Sequence, residues 1–258
     1  MTTQLAPQTI YSNLLNEVAE FVLGKRATDE FSLRALKKKA EALAKANVAE
    51  GVEIQAYVAF LQGAHEAAVD LIERAISLSA IKAEVIVRYL QICNHVGLFD
   101  CVWDVYSKYS KLLDGTITET REVMHILVSN GYLIAAEELR ANLMRMNASA
   151  GHVNYVAGER LVSQCDHAGF SDEDTSAVVL HVRSFLHRHG LKAQKIGVSA
   201  ISGEGNGEAA MLYEIGVDVT PERAAEVEWD LFGELEEKKF PAEICGKFLF
   251  ALTSCPEE

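Results

Sequence analysis

The side chains best suited to chemistry lie late in the chain. Five histidines, His152, His167, His181, His187 and His189, stand near Cys165 and Asp166. Cys165, Asp166 and His167 could join His181 or His187 around a zinc ion, which takes thiolate, carboxylate and imidazole ligands. The spacing opposes this reading. Cys165 and His167 are two residues apart, as are His187 and His189, and helical residues two apart point in different directions. These groups read instead as scattered surface or partly buried side chains. The loop 203–207, Gly-Glu-Gly-Asn-Gly, suggests a phosphate cradle. Such cradles open directly into a helix whose free N–H groups hold the anion. Here an alternating stretch follows, the spacing is GxGxG and no GK[ST] is present, so the loop reads as a β-hairpin connection. Glu226 with Asp230, or Glu236 with Glu237, could supply a general acid and base. Both pairs fall on the outer face of an acidic helix, where solvation explains them. No Ser-His-Asp or Cys-His arrangement can be placed by motif. The expectation is a protein that is not an enzyme and uses no metal or cofactor.

The net charge of −13 disfavours nucleic acid as a partner, because phosphate binding requires Lys and Arg to displace counterions. It favours a protein or peptide partner bearing basic patches. The charge is unevenly distributed. Residues 191–258 carry 6 bases and 14 acids, a net of −8, whereas residues 24–47 carry 7 bases and 3 acids, a net of +4. That polarity could steer two copies together, so a homo-oligomer, a homodimer in the simplest case, is a further expectation. No apolar run is long enough to span a membrane. The first residues lack the basic start and apolar core of a signal peptide. The 5 cysteines form no CxxC pair, which together with the other signs suggests free thiols in the cytoplasm.

The elements that would position these groups are mostly helices. Only 4 prolines are present, and Ala, Leu, Glu and Lys are abundant, residues that lose little side-chain freedom in a helix. Apolar residues recur at helical spacing over 9–23 and 30–46, then 52–61 and 65–78, 83–96 and 99–113, and 119–129 and 133–146. A fifth pair is expected at 153–168 and about 171–189. At Gly190 the period changes. Alternation at Ile196, Val198 and Ala200, then over 209–218, predicts two strands. Thr220-Pro221-Glu222 starts a helix over 222–239, expected to bury Ala224, Val227, Leu231, Phe232 and Leu235. A third strand is expected over 247–253.

Three glycines punctuate the middle pairs at equal intervals. Gly63, Gly97 and Gly131 are each 34 residues apart, and a fixed period of that size marks stacked helical hairpins. The stretch from Val52 to about Asn147 resembles the tetratricopeptide repeat. Gly63, Ala68, Ile72 and Ala75 fit the family's pattern of a small residue at the turn and alanines flanking a bulky residue on the second helix. Gly97 is followed by Val102, Tyr106 and Tyr109, and Gly131 by Ala136, Arg140 and Leu143. Tyr109, Arg140 and Leu143 depart from the pattern.

The predicted architecture is therefore mainly α. A tetratricopeptide-like solenoid of antiparallel hairpins over 1–190 is followed by a small α+β (ββαβ) unit over 191–258. The resemblance implies a scaffold for protein binding, with a partner segment on a concave face made by the first helix of each pair. The face residues expected there are Tyr57, Gln62, Arg88, Gln91, Asn94, Arg121 and His125. Aromatic and arginine side chains are the natural anchors. The C-terminal unit would serve dimerisation or docking. Two alternatives remain open. One is a regulatory, antitoxin-like, phage- or plasmid-borne factor that masks a basic surface. The other is a nucleic-acid contact through the basic helix 30–46.

Overall fold

The computed structural model describes residues 7–113, 116–146, 162, 163, 165, 169–191, 193–202, 209–238, 240, 244 and 246–255. It is mainly helical with a small three-stranded sheet near the C-terminus. The glycine loop 203–207, Asp166 and His167 lie outside the described residues, as does most of the helix expected over 153–168. The chain divides into two compact units, Met1–Glu119 and Thr120–Glu258. The change of period at Gly190 therefore falls inside the second unit.

The first unit contains α1 (Pro7–Val22), α2 (Glu30–Ala44), α3 (Val48–Leu61), α4 (His65–Leu78), α5 (Lys82–His95) and α6 (Asp100–Tyr109), closed by a 3-10 turn, Ser110–Leu113. Local chemistry sets the ends. Asp29 caps α2 by accepting the Ser32 N–H at 2.9 Å, and Asn47 accepts from Glu50 N at the start of α3, each satisfying a donor with no partner inside its helix. Gly63, in the left-handed region at φ 73°, ends α3. The Gly63 N–H donates to the Phe60 carbonyl at 3.0 Å and Ala64 N–H to the Ala59 carbonyl at 2.9 Å. This double closure requires a left-handed residue, which glycine adopts without strain. The second bond recurs from Leu98 to Cys93, Tyr132 to Leu127, Phe170 to Cys165 and Leu191 to Leu186, so the glycine spacing does mark one repeated turn.

Packing follows the pairing. Each helix lies against its sequence neighbour, and α3 also lies against α1 and α5. Ala68, Ile72 and Ala75 of α4 are buried, as the close approach of paired helices demands. Gly51 marks the tightest join: a Cβ there would sit 2.3 Å from the Cα of Ala44, so α2 and α3 meet at backbone distance.

The second unit begins within α7 (Ile117–Ser129) and continues through α8 (Leu133–Arg145), α9 (Asp172–Arg188), β1 (Ala193–Ser202), β2 (Ala209–Val217), α10 (Pro221–Lys238) and β3 (Phe248–Ser254). The sheet order is β1-β2-β3. β1 runs antiparallel to β2, with Val198 opposite Tyr213. β3 runs parallel to β2, with Phe250 opposite Tyr213, and a parallel neighbour needs the crossover that α10 provides. Met211, Tyr213, Ile215, Phe248 and Phe250 share one core with Val182 and Phe185 of α9, Val227 and Leu231 of α10, and Leu133 of α8. The strands thus have helical cover on one face, which so small a sheet requires to be stable. Leu143, a departure from the repeat pattern, is fully buried, whereas Phe232, expected inward, is 46% exposed. The inward face of α10 is narrower than its apolar content suggests.

Polar contacts join α9 to the α7–α8 turn. Asp172, at the start of α9, accepts Ile134 N–H at 2.8 Å and Ala135 N–H at 2.9 Å. It thereby caps α8, whose own N-cap residue, Tyr132, makes no side-chain capping bond. Thr175 donates its hydroxyl to the Gly131 carbonyl at 2.8 Å. A Cβ on Gly131 would stand 2.8 Å from Ser176 Cα. Arg183, almost fully buried, donates to Asn130 Oδ1 at 2.6 Å, and burial lowers its guanidinium to about 10.

Candidate functional site

The densest polar cluster lies in the first unit, where α1, α3 and α5 adjoin. Glu53 and Tyr57 are one turn apart on α3 and share a face. Glu53 is 2% exposed, although it sits in the apolar run GVEIQAYVAF. Its Oε1 accepts from the Tyr57 hydroxyl at 2.6 Å and from Arg88 Nε at 2.7 Å. Its Oε2 accepts from the Tyr11 hydroxyl at 2.7 Å and from Arg88 Nη2 at 3.3 Å. Arg88 Nη2 also donates to the Tyr11 oxygen at 2.8 Å, and Nη1 reaches Glu84 Oε2 at 3.5 Å. Side chains from three helices therefore meet at one carboxylate. A buried charge is tolerated only when its bonding sites are filled in this way.

The electrostatics follow from burial and proximity. Burial, and then the Glu53 charge, push both tyrosine hydroxyls well above the ordinary range. Burial opposes the charge on Arg88, but its bond to Glu53 and the charge of Glu53 outweigh that and raise it. Glu50 lies one turn before Glu53. Its Oε2 is buried with no hydrogen-bond partner among the described residues, and burial followed by the Glu53 charge raises its carboxyl.

The face residues expected from sequence occupy different environments. Tyr57 is 2% exposed, so it is no surface anchor; its hydroxyl is needed to complete the bonding of Glu53. Arg88 is held in the same cluster, with 22% of its side chain exposed. Gln62 is exposed just beyond the end of α3, and Gln91 and Asn94 are half-buried on α5. Glu84, Arg88, Gln91 and His95 form an accessible strip along that helix, and His95 Nδ1 lies 2.9 Å from the Gln91 carbonyl. Arg121 and His125 belong to α7 in the second unit, both half-buried, and burial lowers the His125 imidazole. Sequence spacing missed Tyr11, Glu53 and Glu84. The available signal was an acid inside an apolar helical run, which must find partners.

The other candidates are simpler. His187 and His189 are exposed, and His181 Nε2 stands 2.9 Å from Glu234 Oε1 beside the Phe240 ring. No cluster of three metal-type ligands occurs among the described residues. Burial raises the thiols of Cys93 and Cys165, which suppresses the thiolate needed for nucleophilic attack. On α2, Arg34 pairs with Glu30 and Lys39 with Glu17. Those pairings occupy two of the cations that a nucleic-acid contact would use. No helix among the described residues is long and apolar enough to cross a membrane.

The fold is that of a mainly helical protein with a small three-stranded sheet near the C-terminus. No protein-family model matches the chain, and no curated protein or solved structure is significantly similar to it.

Proposed function

We propose that this protein is a non-enzymatic interaction module. Its hairpins form a tetratricopeptide-like solenoid that binds a partner segment along the row of first helices, while the C-terminal unit serves docking or dimerisation. The observation that supports the reading best is the placement of α3 against both α1 and α5 as well as against its own hairpin partner. First helices that lie side by side are what a continuous binding face requires. The equally spaced left-handed glycines and the small residues of α4 agree with it. The accessible part of the face is the strip Glu84, Arg88, Gln91 and His95, with Gln62 at the end of α3. Tyr11, Glu53 and Tyr57 act beneath it by fixing the three helices and the pose of Arg88. The partner is a protein or peptide with basic groups, and the compartment is the cytoplasm. The unpaired thiols of Cys93, Cys101, Cys165 and Cys255 suit a reducing environment.

Affinity capture from the source cells with the wild type and a Gln62→Ala/Gln91→Ala variant tests this reading. Both substitutions leave the Glu53 cluster intact, so the variant should fold normally. The expected result is loss of at least one bound partner. An unchanged set of partners would remove the first-helix face from consideration.

A further inference from the structure

We propose that the outward face of α10 is a second docking surface, one that takes a basic amphipathic helix of a partner protein. The helix buries Ala224, Val227 and Leu231 against the sheet. On its other side Trp229 is 80% exposed and Phe232 46%. Ala225, Trp229 and Phe232 are spaced by four and then three residues, so they form one apolar stripe along the helix. Gly233 beside them leaves the space open, since a Cβ there would meet nothing within 4 Å. Tryptophan is the residue most often found at the energetic centre of protein interfaces. Left in water, it forgoes the stabilisation that burying a large ring supplies.

The charges around the stripe select the partner. Of the charged residues on α10, 7 are acids and 2 are bases, a net of −5. Three of the acids serve the chain itself. Glu228 accepts the Leu252 N–H at 2.7 Å, Glu234 pairs with Arg188 and His181, and Glu226 pairs with Arg223. Glu222, Asp230, Glu236 and Glu237 are exposed and bond to nothing among the described residues. An apolar stripe bordered by unneutralised carboxylates matches a helix with apolar residues every three or four positions and Lys or Arg beside them. The same carboxylates would repel an anionic membrane surface. This surface is distinct from the first-helix face, so failure of either proposal leaves the other standing.

The test uses the full-length chain and a labelled amphipathic peptide of leucine and lysine, with a leucine–glutamate peptide of the same pattern as control. The expected result is saturable binding of the lysine peptide alone. A Trp229→Ala/Phe232→Ala variant should weaken it roughly tenfold or more. A Glu222→Lys/Asp230→Lys/Glu237→Lys variant should weaken it comparably, and the wild-type affinity should fall with salt. If the double alanine variant loses its helical signal, Trp229→Gln alone carries the same expectation. Equal affinity of the aromatic variants and the wild type would overturn the proposal, since charge alone would then explain binding. So would equal binding of the two peptides. Self-association in sedimentation that Trp229→Gln abolishes would also overturn it, by giving the surface to a second copy of the chain.

Discussion

In the first unit a carboxylate is buried and donors come to it from three helices. In the second, a carboxylate is placed at the end of a neighbouring helix to meet backbone N–H groups. Glu53 joins α1, α3 and α5 through side chains alone, so each partner can be lost by one substitution. Asp172 joins α9 to α8 through Ile134 and Ala135 N–H, donors that no substitution except proline removes. Both arrangements answer the same need within their own unit, because packed helices must be fixed in how they meet. The side-chain solution is confined to one cluster and depends on all its members. The backbone solution instead depends on close approach, with Gly131 set against Ser176.

The largest expected effect is at Glu53. Glu53→Ala leaves two buried hydroxyls and the half-buried Arg88 guanidinium without that acceptor. Loss of one partner of a fully buried pair costs about 3–5 kcal/mol, and the exposed edge of Arg88 places this change at the lower end. Urea unfolding gives the total, and hydrogen exchange shows where it falls. Exchange should accelerate in α1, α3 and α5. Acceleration confined to α9 and the sheet would break the comparison between the two units. Tyr11→Phe sharpens it: the ring stays but two hydrogen bonds are lost, one donated to Glu53 and one accepted from Arg88, so the cost should be about 1–3 kcal/mol.

The glycines give the next contrast. Gly63 and Gly131 share the left-handed conformation, at φ 73° and 83°. A Cβ at Gly63 would meet nothing within 4 Å, whereas at Gly131 it would strike the backbone of α9. Gly63→Ala should therefore cost about 1–2 kcal/mol, the strain of a left-handed alanine. Gly131→Ala adds overpacking worth about 1–3 kcal/mol more. Melting curves of the two variants measure the difference. Equal costs would mean that α9 yields freely at this point.

What could be read from sequence was local. Helical periods, the turn glycines, the Ser171 cap of α9 and the strand–strand–helix–strand order near the C-terminus each arise within a few residues of one another. What could not be read depends on distant partners. Glu53 meets residues 42 positions earlier and 35 later. Asp172 lies in the first turn of its own helix, where an acid suits the positive end, yet its carboxylate serves a helix start 38 residues earlier. Tyr57 and Phe232 were misplaced for a related reason. Periodicity identifies an apolar face but not how much of it a neighbour covers, so Tyr57 lies deeper than expected and Phe232 shallower.

The smallest expected effect concerns pH and belongs to the second unit. Burial lowers the His181 imidazole below its ordinary value of 6.5; the nearby Glu234 charge works against that shift, and Lys238 and Arg188 reinforce it. The folded state thus binds this proton less readily than the unfolded chain. The associated stability is present above 6.5 and is lost as pH falls through the lowered value. Burial raises Asp172 from its ordinary 3.8, which has the opposite sign: that contribution is present in acid and is lost as pH rises through the raised value. The two groups therefore act in adjacent windows, and a His181→Gln variant separates them. Its unfolding free energy should lose part of the decline that the wild type shows on acidification just below 6.5, the rest belonging to His125, which burial also lowers, while any dependence nearer 4 is kept. In the first unit Tyr11, Tyr57 and Arg88 are pushed further from neutrality. Hydrogen exchange in α3 and α5 should accordingly be the same in the variant and the wild type at every pH. A His181→Gln variant with the wild-type slope would show that Glu234 compensates fully for burial.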